Sequence, residues 1–396
     1  MAKKALEGIT ILDMTLAESG PVATMGLSLL GAKVYHIYRP GAANVGSRYR
    51  GEVLRNLNKT NITINGKVEE GAENFWKLIE KADIIFENYG PGAWDRMGFS
   101  YEEVKKRNPN IIYVTLKGFA RESEWGKCVT IDPVPCSFGG SAYISGYENE
   151  VPMLCGINVA DSGSGIHATL TTLLAILERK LTGNGQFIET PMRDTVVCLT
   201  RKAYAEYAAN GSVKRHGNSF HGADIHYPYN MYPSKPSADP RGDYIQISCK
   251  TDEDFANLAK AMGKPELAED PRFTSNELRL ENRDALDEII KEWTLAHDKV
   301  EANTILLKDY KVPAGAVMSI GELLKDPFLN TTIYRNVSDK VCGDMVIPTI
   351  PVRLSDSPMD VIESAGVPEA GNDEVYKELL GLSDERIAEL KEKGAI

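Results

Sequence analysis

The stretch ITILDM at residues 9–14, followed by GPVATMGLSLLG at 20–31 and VYHIY at 34–38, decides the fold class. The first run is apolar and β-branched, the signature of a short buried strand. Gly20-Pro21 then opens a helical stretch through Leu29 and Leu30, since proline suits the first helical turn, where its missing N–H costs nothing. Gly31 stops the helix. Strand, helix and strand in thirty residues make a βαβ unit. Further apolar runs follow at 82–86 (ADIIF) and 111–116 (IIYVTL), with a helical pattern over 101–107 between them. Strands alternating with helices predict an α/β fold whose parallel sheet binds ligands at the carboxyl ends of its strands.

Downstream, Ile166, Leu170, Leu173, Leu174, Leu177 and Leu181 recur at helical spacing, and Gly183 and Gly185 close that helix. Residues 210–245 are rich in Gly, Pro, Asn, His and Tyr, which predicts a linker into a second domain. YIQIS at 244–248 reads as a strand. Residues 252–264, 281–310, 374–380 and 383–393 read as helices. No internal repeat or low-complexity tract interrupts the chain.

Composition narrows the function classes. The 396 residues are 42% hydrophobic, enough for a sizeable core and two or three domains. A net charge of −11 gives the chain no electrostatic reason to bind nucleic acid or an anionic membrane, although a local basic pocket for a phosphorylated ligand is compatible with it. No apolar run approaches the roughly 20 residues that span a bilayer. The start, Met1-Ala2-Lys3-Lys4, lacks the apolar segment of a secretory signal. Cys128, Cys136, Cys155, Cys198, Cys249 and Cys342 form no CxxC pair and have no histidine cluster nearby. Reduced thiols in a cytoplasmic protein are therefore expected, rather than a zinc site or a disulfide framework.

One short segment carries chemistry. Asp161-Ser162-Gly163-Ser164-Gly165 stands directly before the helix read from Ile166. Spacing alone makes Asp161 an N-cap, favoured by the positive end of the helix dipole. The glycines allow a second reading: a ligand can approach the backbone closely, and free N–H groups can hold an oxyanion. An exposed carboxylate there can attack a thioester carbonyl and form a mixed anhydride.

Motifs along the chain choose between these readings. They include Leu6-Glu7-Gly8-Ile9 with Leu12-Asp13, Gly20-Pro21-Val22-Ala23-Thr24 and Leu30-Gly31-Ala32-Lys33-Val34. Glu87-Asn88-Tyr89-Gly90-Pro91-Gly92-Ala93-Trp94-Asp95-Arg96-Met97-Gly98-Phe99 follows, then Asn108-Pro109 and Lys117-Gly118-Phe119. Asp161-Ser162 with Gly165-Ile166-His167 and Thr182-Gly183-Asn184-Gly185-Gln186 come next. Leu267-Ala268-Glu269-Asp270-Pro271-Arg272-Phe273, Val312-Pro313-Ala314-Gly315 and Asp326-Pro327 complete the series. In order and spacing the chain resembles the class III CoA-transferases, the family of the formyl-CoA:oxalate and crotonobetainyl-CoA:carnitine transferases.

The resemblance implies a mechanism and a site. Asp161 falls on the family nucleophile, which forms an acyl anhydride and then an aspartyl-CoA thioester. Coenzyme A or acyl-CoA is the substrate, with a small carboxylic acid as partner and no metal or redox cofactor. Arg39 and Arg96 fall on basic contacts to CoA. Alone, the first would read as a solvated arginine and the second as an ion pair with Asp95 or Glu102. Asn88 and Tyr89 match residues along the adenosine or pantetheine, and Met192 a wall of the pantetheine channel; without the resemblance these are a turn and a core residue. Glu18 stands where the formyl-CoA enzyme has a glutamine beside the nucleophile. Asp132 occupies the position of an acidic residue near that site, although before Pro133 it also reads as a plain turn.

The resemblance further implies a large Rossmann-like parallel-sheet domain from both chain ends, at 1–210 and 325–396. A small α+β domain is inserted at 225–315, with linkers at 211–224 and 316–324. Two subunits interlock as a homodimer, with active sites between large and small domains of different subunits.

Three departures shape the expected substrate. Ser248-Cys249-Lys250-Thr251-Asp252-Glu253 has none of the glycine run that closes over the formyl-CoA enzyme's intermediate. Ile131 replaces an acceptor-pocket tyrosine, and Thr60-Asn61 a frequent basic pair. Oxalate specificity therefore does not carry over, and a bulkier or more apolar acid is expected. The rival within the fold is an α-methylacyl-CoA racemase, which needs two acid–base groups and a histidine where Ile131 stands. A nicotinamide dehydrogenase would need GxGxxG after the first strand, but the chain reads Ala17-Glu18-Ser19-Gly20-Pro21 there. A non-catalytic CoA-binding protein is the third alternative, against which Asp161 argues.

Overall fold

The computed structural model describes residues 4–42, 47–217, 226–357, 359 and 362–396. They fall into two compact units, one of residues 1–142, 154–205 and 330–396, the other of 143–153 and 206–329. Part of the expected linker, 218–224, lies outside the described residues.

The first unit is built on six strands: β1 Thr10–Met14, β2 Lys33–Tyr38, β3 Thr60–Thr63, β4 Ile84–Glu87, β5 Ile112–Lys117 and β6 Phe187–Pro191. All pair in parallel, in the order β3-β2-β1-β4-β5-β6. This is the Rossmann order, and its direction reverses between β1 and β4, where ligands bind at the carboxyl ends. The helices that matter here are α1 Ser19–Leu29, α2 Glu69–Lys81, α3 Pro133–Phe138, α4 Val159–Thr182 and α5 Met192–Leu199. Alternate strand residues feed two cores. Leu12, Ile85 and Tyr113 pack with Phe75 and Leu78 of α2 on one face. Ile11, Phe86 and Val114 pack with Ala23 and Leu27 of α1 and Ala168 and Ile176 of α4 on the other. The far end of the chain joins the first core through Val375, Tyr376, Leu390 and Ile396. The Tyr376 hydroxyl donates to the Thr63 carbonyl at 2.6 Å, which covers edge strand β3.

The second unit holds an antiparallel sheet of β7 Tyr229–Pro233, β8 Tyr244–Ser248 and β9 Ala314–Ala316, with β8 in the middle. Its core gathers Ile245 and Ile247 with Phe255, Leu258, Leu286 and Ile290. The helix expected over 281–310 is broken. It runs Arg283–Ala296, turns extended at His297, and restarts at Lys299 because the Asp298 carboxylate accepts from the Val300 N–H at 2.8 Å. The helix expected over 252–264 stops at Ala261, before Gly263 in the left-handed region.

A larger correction concerns α4. It begins at Val159, not Ile166, so Asp161 sits inside the first turn and Asn158 is the N-cap. Gly163 and Gly165 are helical, and the reading in which they free N–H groups for an oxyanion fails. Their value is close packing. A Cβ on Gly165 would lie 2.6 Å from the Ser19 carbonyl oxygen, and one on Gly163 3.0 Å from Leu199. Glycine lets α4 touch α1 and α5 there.

Candidate active site

Three elements deliver the candidate nucleophile's surroundings. The loop from β1 to α1 carries Thr15 to Ser19. Asp13, at the end of β1, is wholly buried and holds this loop from beneath. Its carboxylate accepts from the Thr15 N–H at 2.9 Å and hydroxyl at 2.5 Å, from the Thr24 hydroxyl at 2.6 Å and from Lys59 Nζ at 2.9 Å. Lys59 also donates to the Pro21 carbonyl at 3.1 Å, in the first turn of α1. Asn88, beyond β4, clasps the loop from the side: its Oδ1 accepts from the Leu16 N–H at 2.8 Å and its Nδ2 donates to the Leu16 carbonyl at 2.7 Å. These bonds fix where α1 begins.

The first turn of α4 leaves N–H groups without intrahelical partners. One of them, the N–H of Asp161, donates to Asp132 Oδ1 at 2.9 Å. Asp132 thus caps α4 from 29 residues upstream while standing at the N-cap of α3, so the plain turn role is too small a description. Its other oxygen lies 3.4 Å from Cys136 Sγ. The capping side chain of Asn158 is diverted: its Nδ2 donates to Glu18 Oε2 at 2.5 Å, and the Ser162 hydroxyl donates to Glu18 Oε1 at 3.1 Å. Glu18 therefore bridges the N-termini of α1 and α4.

The structure thus brings Glu18, Asp132 and Asp161 together. Burial raises the Asp161 carboxyl, the charges of Asp132 and Glu18 raise it further, and the hydroxyl and amide of Ser19 hold it back, leaving it at about 6. It is mostly ionised at neutral pH and more basic than an ordinary aspartate.

Asp161 lines a cavity of about 330 Å³ together with Asn88, Tyr89, Lys117, Asp132 and Met192. Tyr89 also lines a second cavity of about 590 Å³, at the carboxyl ends of β2, β3 and β4, with Arg39, Lys67, Trp94 and Arg96. The Tyr89 ring stacks on Trp94 at 5.3 Å. Arg39, Lys67 and Arg96 are exposed, and none forms an ion pair among the described residues. The pairing of Arg96 with Asp95 or Glu102 that its sequence neighbours suggest is therefore not made. Asp161 and Asp132, with Arg39, Asn88, Tyr89, Arg96 and Met192, line one cavity or the other, whereas Glu18 reaches the site through Ser162 and Asn158. Asn88 does so with its amide committed to Leu16.

Sequence reasoning missed Lys67, Ser19 and Lys117. Asn65-Gly66-Lys67 is a turn directly after β3, at the same sheet edge as Arg39, and that position was its only signal. Lys117 ends β5, where its Nζ donates to Glu87 Oε2 at 2.7 Å and the Tyr89 carbonyl at 2.6 Å.

Two cavities that share Tyr89, one with a carboxylate of raised pKa and the other with three cations, suit a long ligand with a reactive carbonyl and a phosphorylated tail. The family model of CoA-transferase family III matches residues 6–374. The chain belongs to CoA-transferase family III. The formyl-CoA:oxalate CoA-transferase of Streptomyces coelicolor is 34% identical, with all of both chains covered. That of Rhodopseudomonas palustris is 31% identical, over 99% of this chain and 97% of its own. Among solved structures, a CAIB/BAIF family protein from Brucella suis superimposes with a TM-score of 0.83 at 25% identity, covering 95% of this chain and 99% of that one. A hypothetical protein from Mycobacterium tuberculosis has a TM-score of 0.79 at 21% identity, covering 94% and 99%, and shares the fold. As a member of family III the chain is an enzyme, a CoA-transferase that uses acyl-CoA. Among the described residues no helix is long and apolar enough to cross a membrane.

Proposed function

We propose that this enzyme moves CoA from an acyl-CoA donor to a free carboxylic acid through covalent intermediates on Asp161. The Asp161 carboxylate attacks the donor thioester, forming the acyl–aspartyl anhydride and releasing CoA thiolate. The thiolate attacks the aspartyl carbonyl, which gives the aspartyl-CoA thioester and frees the donor acid. The acceptor carboxylate then attacks that thioester, forming a second anhydride and releasing the thiolate again. Attack of the thiolate on the acceptor's acyl carbon yields the new acyl-CoA and restores Asp161. Every step exchanges one acyl bond for another, so no net proton or electron is needed.

The observation that carries this reading is the pairing of ends. Asp161 lines a cavity that shares Tyr89 with a second cavity, and the second holds three cations without a carboxylate partner among the described residues, in a chain whose net charge is −11. Arg39, Lys67 and Arg96 suit the phosphates of CoA, and Tyr89 and Met192 the pantetheine arm. Glu18 and Asp132 raise the basicity of Asp161 and with it its nucleophilicity. The test is intact-mass spectrometry of the enzyme with a panel of acyl-CoAs, trapped with hydroxylamine or borohydride. An adduct mapped to Asp161 is expected. Clear CoA binding with no adduct from any donor would sink the reading.

We read the enzyme as a cytoplasmic homodimer, with the second unit as the inserted small domain. On α4, Ile166, Leu170, Leu174, Leu177 and Leu181 are each more than half exposed, so the stripe that predicts the helix, Leu173 apart, points away from this chain's core. An apolar stripe of about four turns needs a partner, and a second copy of the chain supplies one. Light scattering at micromolar concentration should give twice the chain mass of 43.6 kDa; a monomer would contradict it.

A further inference from the structure

We propose that the acyl pocket selects by charge: it takes acids that carry no negative group beyond the reacting carboxylate, and Glu18 sets this selection. The inference rests on the CoA-transfer reading and names its substrate class.

Glu18, Asp132 and Asp161 stand together with no counter-ion. Every bond that Glu18 and Asp132 accept comes from a neutral donor: Asn158 Nδ2 and the Ser162 hydroxyl for Glu18, the Asp161 N–H and Cys136 Sγ for Asp132. No lysine or arginine among the described residues bonds to any of the three. The cation that lines this cavity, Lys117, is already spent on Glu87 and the Tyr89 carbonyl. The rest of the wall carries no charge: it is neutral polar at Ser19, Asn88 and Thr130 and apolar at Phe119, Ile131 and Met192. The carboxylates do not form a metal site either, since no three acidic, His or Cys groups among the described residues converge closely enough.

The timing of the reaction sharpens the effect. When the acceptor arrives, Asp161 is a neutral thioester, and two negative charges remain, on Glu18 and Asp132. The acceptor's reacting carboxylate loses its charge as the anhydride forms. A second carboxylate keeps its charge throughout in a cavity lined by Asp132 and within the field of Glu18, and meets no unpaired cation among the described lining residues. By microscopic reversibility the donor acyl group occupies the same pocket under the same field. At separations of several ångströms in a partly buried site, each such repulsion is worth on the order of a tenfold change in rate. Of the two residues, Asp132 also caps α4. Glu18 can be neutralised while keeping an oxygen for Ser162 or Asn158.

The test uses three acyl-CoAs of matched chain length as probes: butyryl-CoA, succinyl-CoA and 4-trimethylammoniobutyryl-CoA. The single-turnover rate of Asp161 labelling is read by mass spectrometry. Wild type should label with butyryl-CoA about tenfold or more faster than with succinyl-CoA, and the cationic probe should be no slower than butyryl-CoA. Glu18→Gln should narrow the butyryl-to-succinyl ratio by about five- to tenfold. Equal rates with the neutral and anionic probes, or a ratio unmoved by Glu18→Gln, would overturn the proposal. So would a cationic probe as slow as succinyl-CoA, because polarity rather than sign would then be what the pocket excludes. If Glu18→Gln does not fold, the wild-type order of the three probes decides alone. Labelling by none of them, with CoA still bound, overturns the transfer reading and this inference together, whereas labelling in the wrong order overturns only the inference.

Discussion

Replacing Asp161 by Asn should abolish CoA transfer, by at least ~10⁴-fold in kcat, while CoA still binds and the fold becomes more stable at neutral pH. The loss follows from removing the group proposed to form the anhydride. The stability gain follows from the raised pKa. A carboxyl at about 6 in the folded chain, against 3.8 as its ordinary value, binds a proton in the folded state that the unfolded chain gives up between pH 4 and 6. Its contribution to stability is fully present below about pH 4 and is lost as pH rises through 6. At pH 7 the ionised carboxylate is therefore a net cost, about 1–2 kcal/mol after allowance for its partial exposure. The same sign governs activity. The labelling rate of the wild type should fall about tenfold between pH 7 and pH 5, as the Asp161 carboxylate is protonated. Single-turnover labelling across pH and urea unfolding of the Asn variant check both halves. Residual transfer within tenfold of wild type would remove Asp161 from the mechanism, and unchanged stability would remove the electrostatic cost.

Lys59→Met should be among the most destabilising single substitutions in the chain, about 3–5 kcal/mol at pH 7.5. Lys59 and Asp13 are both buried, and the pair joins β1, the start of β3 and the first turns of α1. Burial alone would raise the Asp13 carboxyl, but the Lys59 cation, the nearby His36 and the Thr15 hydrogen bond outweigh it, holding Asp13 well below the usual carboxylate range. The stability this group contributes is present above about pH 4 and is lost only in strong acid. Without Lys59 the buried carboxylate loses its lysine cation and keeps only Thr15, Thr24 and His36 beside it, so the deficit should shrink as pH falls toward 5. Asp13→Asn combined with Lys59→Met should recover much of the loss, because neither member of the buried pair is then left without the other. Urea unfolding at pH 7.5 and 5 measures this. A deficit under 1 kcal/mol, or a double variant no better than the single one, would show that the pair is not what holds the β1–α1 loop. That loop carries Ser19, which faces Asp161, so the surviving Lys59 variant should also transfer CoA slowly.

Local periodicity and punctuation were legible in the sequence. Apolar runs at 9–14, 82–86 and 111–116 became strands, Gly20-Pro21 opened α1, and Gly183 closed α4 in the left-handed conformation. Such features depend on neighbours within a few residues, which a sequence displays directly. The ordered motifs also carried the family. Tertiary structure decided what long-range neighbours decide. Helix α4 starts seven residues earlier than its leucine periodicity suggests, because Asp132 supplies an acceptor that no local residue offers. Gly163 and Gly165 serve helix packing, since Leu199 and Ser19 stand where a Cβ would go. The leucine stripe faces outward, because α4 packs on α1 and the sheet through its small residues, Ser164, Gly165, Ala168, Thr172 and Ala175. Lys67 joins Arg39 and Arg96 only because β2, β3 and β4 end at one edge of the sheet. The basicity of Asp161 depends on its burial and on Asp132 and Glu18, the latter 143 positions away along the chain. Helical period and turn chemistry are properties of adjacent residues, whereas burial, charge and close approach belong to pairs of groups that only the folded chain brings together.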